Sequence, residues 1–320
     1  MGIGWVLAIA LGGCDEPARP PTEKGKAVRI VVVGPGQDDA DWPIISACIA
    51  PAISRERTVT AEARAPATTS PVRQREMLAE LINEPVDAIC LMPIDGDAVR
   101  REIALLSQSG RSVITFGRDA SDSERVAYVG ARESDIGERA GEAVLSWLDE
   151  SRKSVIIVGP TSRESPHALR YHEAKERLMG GAADVIREVD CSAAPWNAAD
   201  QVRAESARFP RVACWLFLDE SPLLSDKVWM PLVPSTSRVV VCGASSRWFG
   251  RLRRHEIHTL IGYDIQQAVE GAIQTAIYVV RRNTMGQRGR DLPAEIITLE
   301  NIDSFERRRA AWLTGRRAGP

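Results

Sequence analysis

Of the six cysteines in 320 residues none forms a Cys-x-x-Cys pair, and the five after Cys14 are an odd number, which excludes a complete disulfide framework within one chain. Cys90, Cys214 and Cys242 sit in apolar, strand-like runs, where cysteine is usually a small buried hydrophobe, and Cys48 and Cys191 lack metal-ligand spacing. Net charge is scarce: −2, with a pI near 6.2, gives no basic footprint for nucleic acid, so no nucleic-acid partner is expected. Histidines number four, and the two in His255-Glu256-Ile257-His258 are too few to hold zinc unaided; an exposed basic helix is their expected place. No Gly-x-Ser-x-Gly is present. Gly34-Pro35-Gly36 fails as a dinucleotide loop, because Asp39 stands where the third glycine belongs and the proline stiffens the turn. A Rossmann-like enzyme remains only an alternative; no catalytic residue is assigned, and neither metal nor cofactor is expected.

What is present is a regular alternation of strand and helix patterns. The stretch 86–141 is the most informative: a strand over 86–92 ends at Pro93, a helix over 98–107 places Val99, Ile103 and Leu106 on one face, and Gly110 closes it before the β-branched strand 113–116. This is a βαβ unit, hence a parallel sheet with helices on its faces. The same pattern predicts strands at 28–33, 58–65 and 126–130, and then at 154–158, 184–189, 212–218, 238–242 and 259–263. Helices are expected between them and over 265–280. A chain of this length suits two lobes, since single cores seldom grow past roughly 250–300 residues.

Residues 3–13 are apolar, too short for the ~20 residues of a membrane-spanning helix but suited to the core of a signal peptide. The run ends in Leu11-Gly12-Gly13-Cys14, and residues 15–25 are polar and proline-bearing, as a short extended tether would be. This order resembles the bacterial lipobox and implies a lipidated Cys14, although no Lys or Arg precedes the apolar run.

The words VDAICLMPIDGDA and SVITFGRDASDSERVAYVG, the helix start with Gly137 and Gly141, and the ENIDSF ending resemble, in that order, the periplasmic sugar-binding proteins of the ribose-binding type, relatives of the lactose-repressor ligand-binding domain. The resemblance spans about 28–305. It implies an α/β fold of two doubly wound parallel-sheet lobes joined by a three-crossing hinge: signal peptide and lipobox 1–14, linker 15–27, first lobe 28–130 plus 264–292, second lobe 131–263 plus 293–306. An arginine-rich tail, 307–320, is expected in solvent. The implied function is that of a monomeric solute-binding lipoprotein, exported to the periplasm or cell surface and membrane-anchored through Cys14. It would deliver a small sugar or polyol to the permease of an ABC-type importer. A degenerate or signalling lipoprotein coupled to a receptor is the alternative; a repressor would need a helix-turn-helix where the apolar run and linker lie.

Ligands of open α/β sheets sit beyond the carboxyl ends of the strands, and sugar sites combine aromatic faces with charged or paired hydrogen-bonding groups. Strand ends and resemblance together single out Trp42, Asp95, Asp119, Arg170, Asp219, Tyr263 and Asp264 as ligand-binding residues, Arg170 foremost. Four of them have a plainer alternative: Trp42 covering its own helix, Asp95 a solvated turn carboxylate, Asp119 a loop cap and Asp219 a helix cap. The chain departs from the family at Gly243-Ala244-Ser245, which replaces Gly-Phe-Asp, at Glu173 for a glycine, and at Gly262-Tyr263-Asp264, where a glutamine is expected.

Overall fold

β1 (Val28–Val33) is an apolar, β-branched run without polar alternation, as suits a strand covered on both faces. The computed structural model describes residues 27–161, 165, 167–191, 197–224, 232–282 and 289–313. In it β1 lies beside β2 (Val59–Arg64) and β3 (Ala88–Leu91), with β4 (Ser112–Phe116), β5 (Ala127–Gly130) and the late β11 (Arg290–Asp291) continuing an all-parallel sheet of order β11-β5-β4-β3-β1-β2. α1 (Trp42–Ala47), α2 (Ile49–Ile53) and the long α9 (Ile265–Arg282) cover one face. α3 (Pro71–Leu81) and α4 (Arg100–Gln108) cover the other.

The second sheet repeats the plan with β6 (Ser154–Gly159), β7 (Asp184–Asp190), β8 (Cys214–Phe217), β9 (Arg238–Cys242), β10 (Thr259–Gly262) and β12 (Glu295–Ile297), in the order β12-β10-β9-β8-β6-β7. β12 is antiparallel to β10. α5 (Glu133–Leu145) and α6 (Ala168–Gly180) pack on one face. α7 (Ala198–Arg208), α8 (Phe249–Arg253) and α10 (Ile302–Leu313) pack on the other. Gly137 lets α5 approach α6, since a Cβ there would collide with the Arg170 carbonyl.

The chain passes between the sheets three times: after β5, between β10 and α9, and between β11 and β12. Two tyrosines tie these passages together. Tyr263 Oη donates to the Gly117 carbonyl at 2.7 Å, and Tyr128 Oη lies 3.1 Å from the same oxygen and 3.0 Å from the Ala131 carbonyl. Arg132 of the first passage pairs with Asp291 of the third at 2.9 Å.

Two details differ from the sequence expectation, the His255–His258 segment and the basic tail. The His255–His258 segment is not an exposed helix. His255 sits at φ 57° in a turn, and His258 is buried, its Nδ1 accepting the Val239 N–H at 3.2 Å with its ring edge-on to Trp147. Burial, helped by Arg238 and His255, pushes the His258 imidazole down to about 4. The closing segment is strand only to Ile297; Asn301 then accepts from Thr298 N–H at 2.8 Å and α10 begins. The basic tail starts inside that helix, and Arg309 is buried rather than solvated. Cys48, Cys90, Cys191, Cys214 and Cys242 are all buried and unpaired. Cys14 lies outside the described residues, and no described helix is long and apolar enough to cross a membrane.

Candidate functional site

A parallel sheet ends in a crevice where its strand order reverses, and both sheets turn those carboxyl ends toward the passage region. In the first sheet the reversal falls between β1 and β3. Buried Gln74 closes it: its Nε2 donates to the Gly34 and Met92 carbonyls at 3.0 and 2.9 Å, and its Oε1 accepts the Ile94 N–H at 3.0 Å. With that floor fixed, the chain after β1 carries Asp39, Asp41 and half-buried Trp42. The indole packs against Gly34, where a Cβ would come within 2.6 Å of the ring. The loop after β4 brings Arg118, whose Nη2 is 3.7 Å from Asp39 Oδ2. Burial raises the Asp39 carboxyl, while the Asp41 N–H, Arg118 and Arg247 offset it.

On the second sheet the decisive group is Glu220, three residues past the end of β8. Its side chain folds over Gly243, which holds a φ of 152° and where any Cβ would collide with the carboxylate. Oε1 accepts the Ser245 N–H at 3.3 Å. Burial, reinforced by Asp41 across the cleft, raises this carboxyl to about 7; Ser245, Trp248 and Arg118 pull the other way. Thus Asp41 and Arg118 from one sheet meet Glu220, Ser245 and Trp248 from the other, within electrostatic reach. The floor between them is Tyr263, held to Gly117.

The residues expected from the sequence divide accordingly. Trp42 and Tyr263 lie at the junction. Asp264 is buried beside it and caps α9, with Oδ1 accepting the Gln266 N–H at 3.0 Å and Oδ2 accepting Gln267 Nε2 at 3.2 Å. Asp95 is exposed and accepts the Asp97 N–H at 2.9 Å in its own turn. Asp119 is engaged bidentately by Arg125 at 2.5 and 2.6 Å and also accepts from Thr115 Oγ1 at 2.8 Å. Asp219 accepts from Ser221 N–H and Oγ at 2.8 and 2.5 Å. Arg170 is buried: Nη1 donates to the Leu218 carbonyl at 2.6 Å and Nη2 to Glu133 Oε1 at 2.9 Å. Its Nε stands 2.8 Å from Glu133 Oε2 as an ion pair, with the N–H misaligned for a hydrogen bond. Burial alone would raise Glu133, but Arg170 and the His167 ring 3.0 Å away hold it down to about 2. Sequence reasoning missed Arg118, Glu220 and Arg309. The first two stand one residue from Asp119 and Asp219, and the third looked like tail.

The geometry is that of a junction between two sheets joined by three chain passages, where ionisable groups and aromatic rings from both sides meet, and comparison with known proteins agrees with that architecture. The sequence profile of the periplasmic binding protein domain matches residues 30–284, and the chain belongs to that family. It is therefore a binding protein rather than an enzyme, and an exported one. A Rhizobium meliloti protein named for rhizopine binding is 22% identical over 251 residues, 73% of this chain and 78% of that protein. The structure of a glucose-galactose binding protein from Geobacillus stearothermophilus superposes with a TM-score of 0.72 at 17% identity, covering 87% of this chain and 99% of that one. A solute-binding protein of an ABC transporter from Bacillus halodurans, with bound myo-inositol, gives 0.69 at 14% identity over 89% and 99% of the two chains. At these identities the structural likeness establishes the fold.

Proposed function

We propose that this protein is the solute-binding component of an ABC-type importer and takes a small sugar or polyol into the cleft between its lobes. The observation that carries the reading is the pairing of Trp42 with Arg118 and Asp39 on one rim, opposite Glu220 and Trp248 on the other. Indole faces cover the C–H side of a polyol ring, while carboxylates and guanidinium groups bond its hydroxyls. The relatives named for rhizopine, glucose-galactose and myo-inositol support a polyhydroxylated cargo. Binding is completed by rotation about the three passages, which brings the rims together and gives a permease a closed form to recognise. In this reading Trp42, Arg118, Asp39 and Glu220 touch the ligand; Tyr263 and Asp264 shape the hinge, and Arg170 holds the second rim in place. Membrane attachment through Cys14 and a monomeric state belong to the same proposal.

The test is a thermal-unfolding screen against pentoses, hexoses, inositols and linear polyols, with amino acids and nucleosides as controls. A ligand at 100 times its dissociation constant adds about 2.7 kcal/mol. A shift with one polyhydroxylated class, abolished by Trp42→Ala, is expected; a shift confined to the controls overturns the reading.

A further inference from the structure

We propose that α10 carries an interlobe latch in which Arg309 is a positioning residue of the cleft. The helix belongs mainly to the second lobe. Phe305 is buried edge-on to Phe249 with ring centroids 6.0 Å apart, Arg253 bonds Asp303 and Glu306 at 2.6 Å each, and Arg308 bonds Glu295 at 2.5 Å. Its later turns nevertheless reach the first lobe. There α10 packs on α1, and Gln266 Nε2, from α9, donates to the Arg309 carbonyl at 2.5 Å. The Arg309 side chain is 6% exposed and faces both rims at once. One guanidinium nitrogen pairs with Asp41 Oδ1 of the first lobe, and the other donates to the Ala244 carbonyl of the second at 3.0 Å. Phe249 and Phe305 flank the group, with ring centroids 5.7 and 5.8 Å from its central carbon.

Both anchors border the candidate ligand groups. Asp41 directly precedes Trp42, and Ala244 lies between Gly243, which seats the Glu220 side chain, and Ser245, which bonds it. Rotation that opens the cleft separates Asp41 from Ala244, so one guanidinium cannot keep both. A planar fork with fixed donors suits such a two-sided contact, and a lysine would not reproduce it. The latch therefore biases the lobe angle toward closure and holds the Asp41-Trp42 corner against the second rim. Residues 302–313 lie beyond the 30–284 that the family profile matches. Its effect on ligand rests on reading the cleft as the ligand site, while its effect on lobe angle does not.

The test is small-angle scattering with parallel thermal unfolding on the full chain without added ligand. The parent is compared with Asp41→Asn, Arg309→Met, Arg309→Asp and the exchange Asp41→Arg with Arg309→Asp. Loss of the pair is expected to raise the radius of gyration above the ~20 Å of a compact chain this long. The rise should be largest for Arg309→Asp, where two carboxylates face each other, and the exchange should reverse it. If Arg309→Asp stays folded with the parental radius, the latch is wrong. If the Arg309 variants do not fold, Asp41→Asn on the rim decides, and an unchanged radius there overturns the proposal. A widened variant together with a silent sugar panel would sink the cargo reading and leave the latch standing.

Discussion

Arg170→Met separates a ligand-binding arginine from one that builds the rim. The substitution keeps most of the side-chain volume and removes a buried charge whose nitrogens all face Glu133 or the Leu218 carbonyl. Glu133 is then left half-buried without its cation. Breaking a buried pair from one side typically costs 3–5 kcal/mol. The acid side gives a similar size: a carboxyl held near 2 instead of 4.5 corresponds to about 3 kcal/mol. Because the folded-state value is depressed, that stability is fully present above pH 4.5 and lost as pH falls from there through about 2. At roughly 2–4 °C per kcal/mol for domains of this size, the variant should unfold on the order of 10 °C below the parent at neutral pH. Its remaining acid sensitivity between pH 4.5 and 2 should shrink, and Glu133→Gln in the same chain should recover part of the loss. Calorimetry from pH 2 to 8 reads all three. A variant that melts with the parent and loses only ligand affinity would refute the structural assignment and return Arg170 to the binding surface.

Glu220 carries the opposite sign: its folded-state carboxyl is raised to about 7, so its share of stability is complete below pH 4.5 and lost as pH rises through 7. Glu220→Gln should flatten that slope in thermal unfolding from pH 4.5 to 8 and weaken ligand binding; an unchanged slope would mean that the carboxyl is not buried in solution. Gln74→Leu should strand the Gly34 and Met92 carbonyls and the Ile94 N–H, at about 1–3 kcal/mol for each unmet group, read by urea denaturation. A loss under 1 kcal/mol would show that water replaces the amide.

The strands and most helices were legible because their signals are local. β1, β3 and β4 are apolar runs bounded by Gly or Pro, and the stripe Val99, Ile103, Leu106 marks α4 without reference to anything distant. β11 was not legible, since two exposed residues, Arg290 and Asp291, carry no periodicity and are strand only because β5 offers an open edge. α10 was hidden for a related reason. Its arginines read as a solvated tail, and what buries Arg309 is an aspartate 268 positions earlier in the chain. Likewise nothing near His258 in sequence announces that Val239 and Trp147 enclose it.

The candidate groups at the junction were legible only as far as their loops. Reasoning from strand ends points to the loops beyond the carboxyl edges of parallel strands, where ligands of open sheets collect, but it cannot choose between neighbours in those loops. As the chain leaves a strand, consecutive side chains still turn to opposite sides, so a shift of one residue changes which neighbours a side chain meets. A lone carboxylate is the attractive choice from composition. Yet Asp119 is answered by Arg125 six residues on, and Asp219 by Ser221 two residues on, each a partner close enough in sequence to satisfy it locally. Arg118 and Glu220 have no such answer within their own loops. Arg118 finds its counter-charge, Asp39, in a distant segment, and Glu220 meets from that same segment only the like charge of Asp41. In a cleft built from two lobes, the groups left for a ligand are those whose partners the local chain does not supply. On that criterion the neighbours of Asp119 and Asp219, rather than those residues themselves, are where substitution should alter cargo before it alters stability.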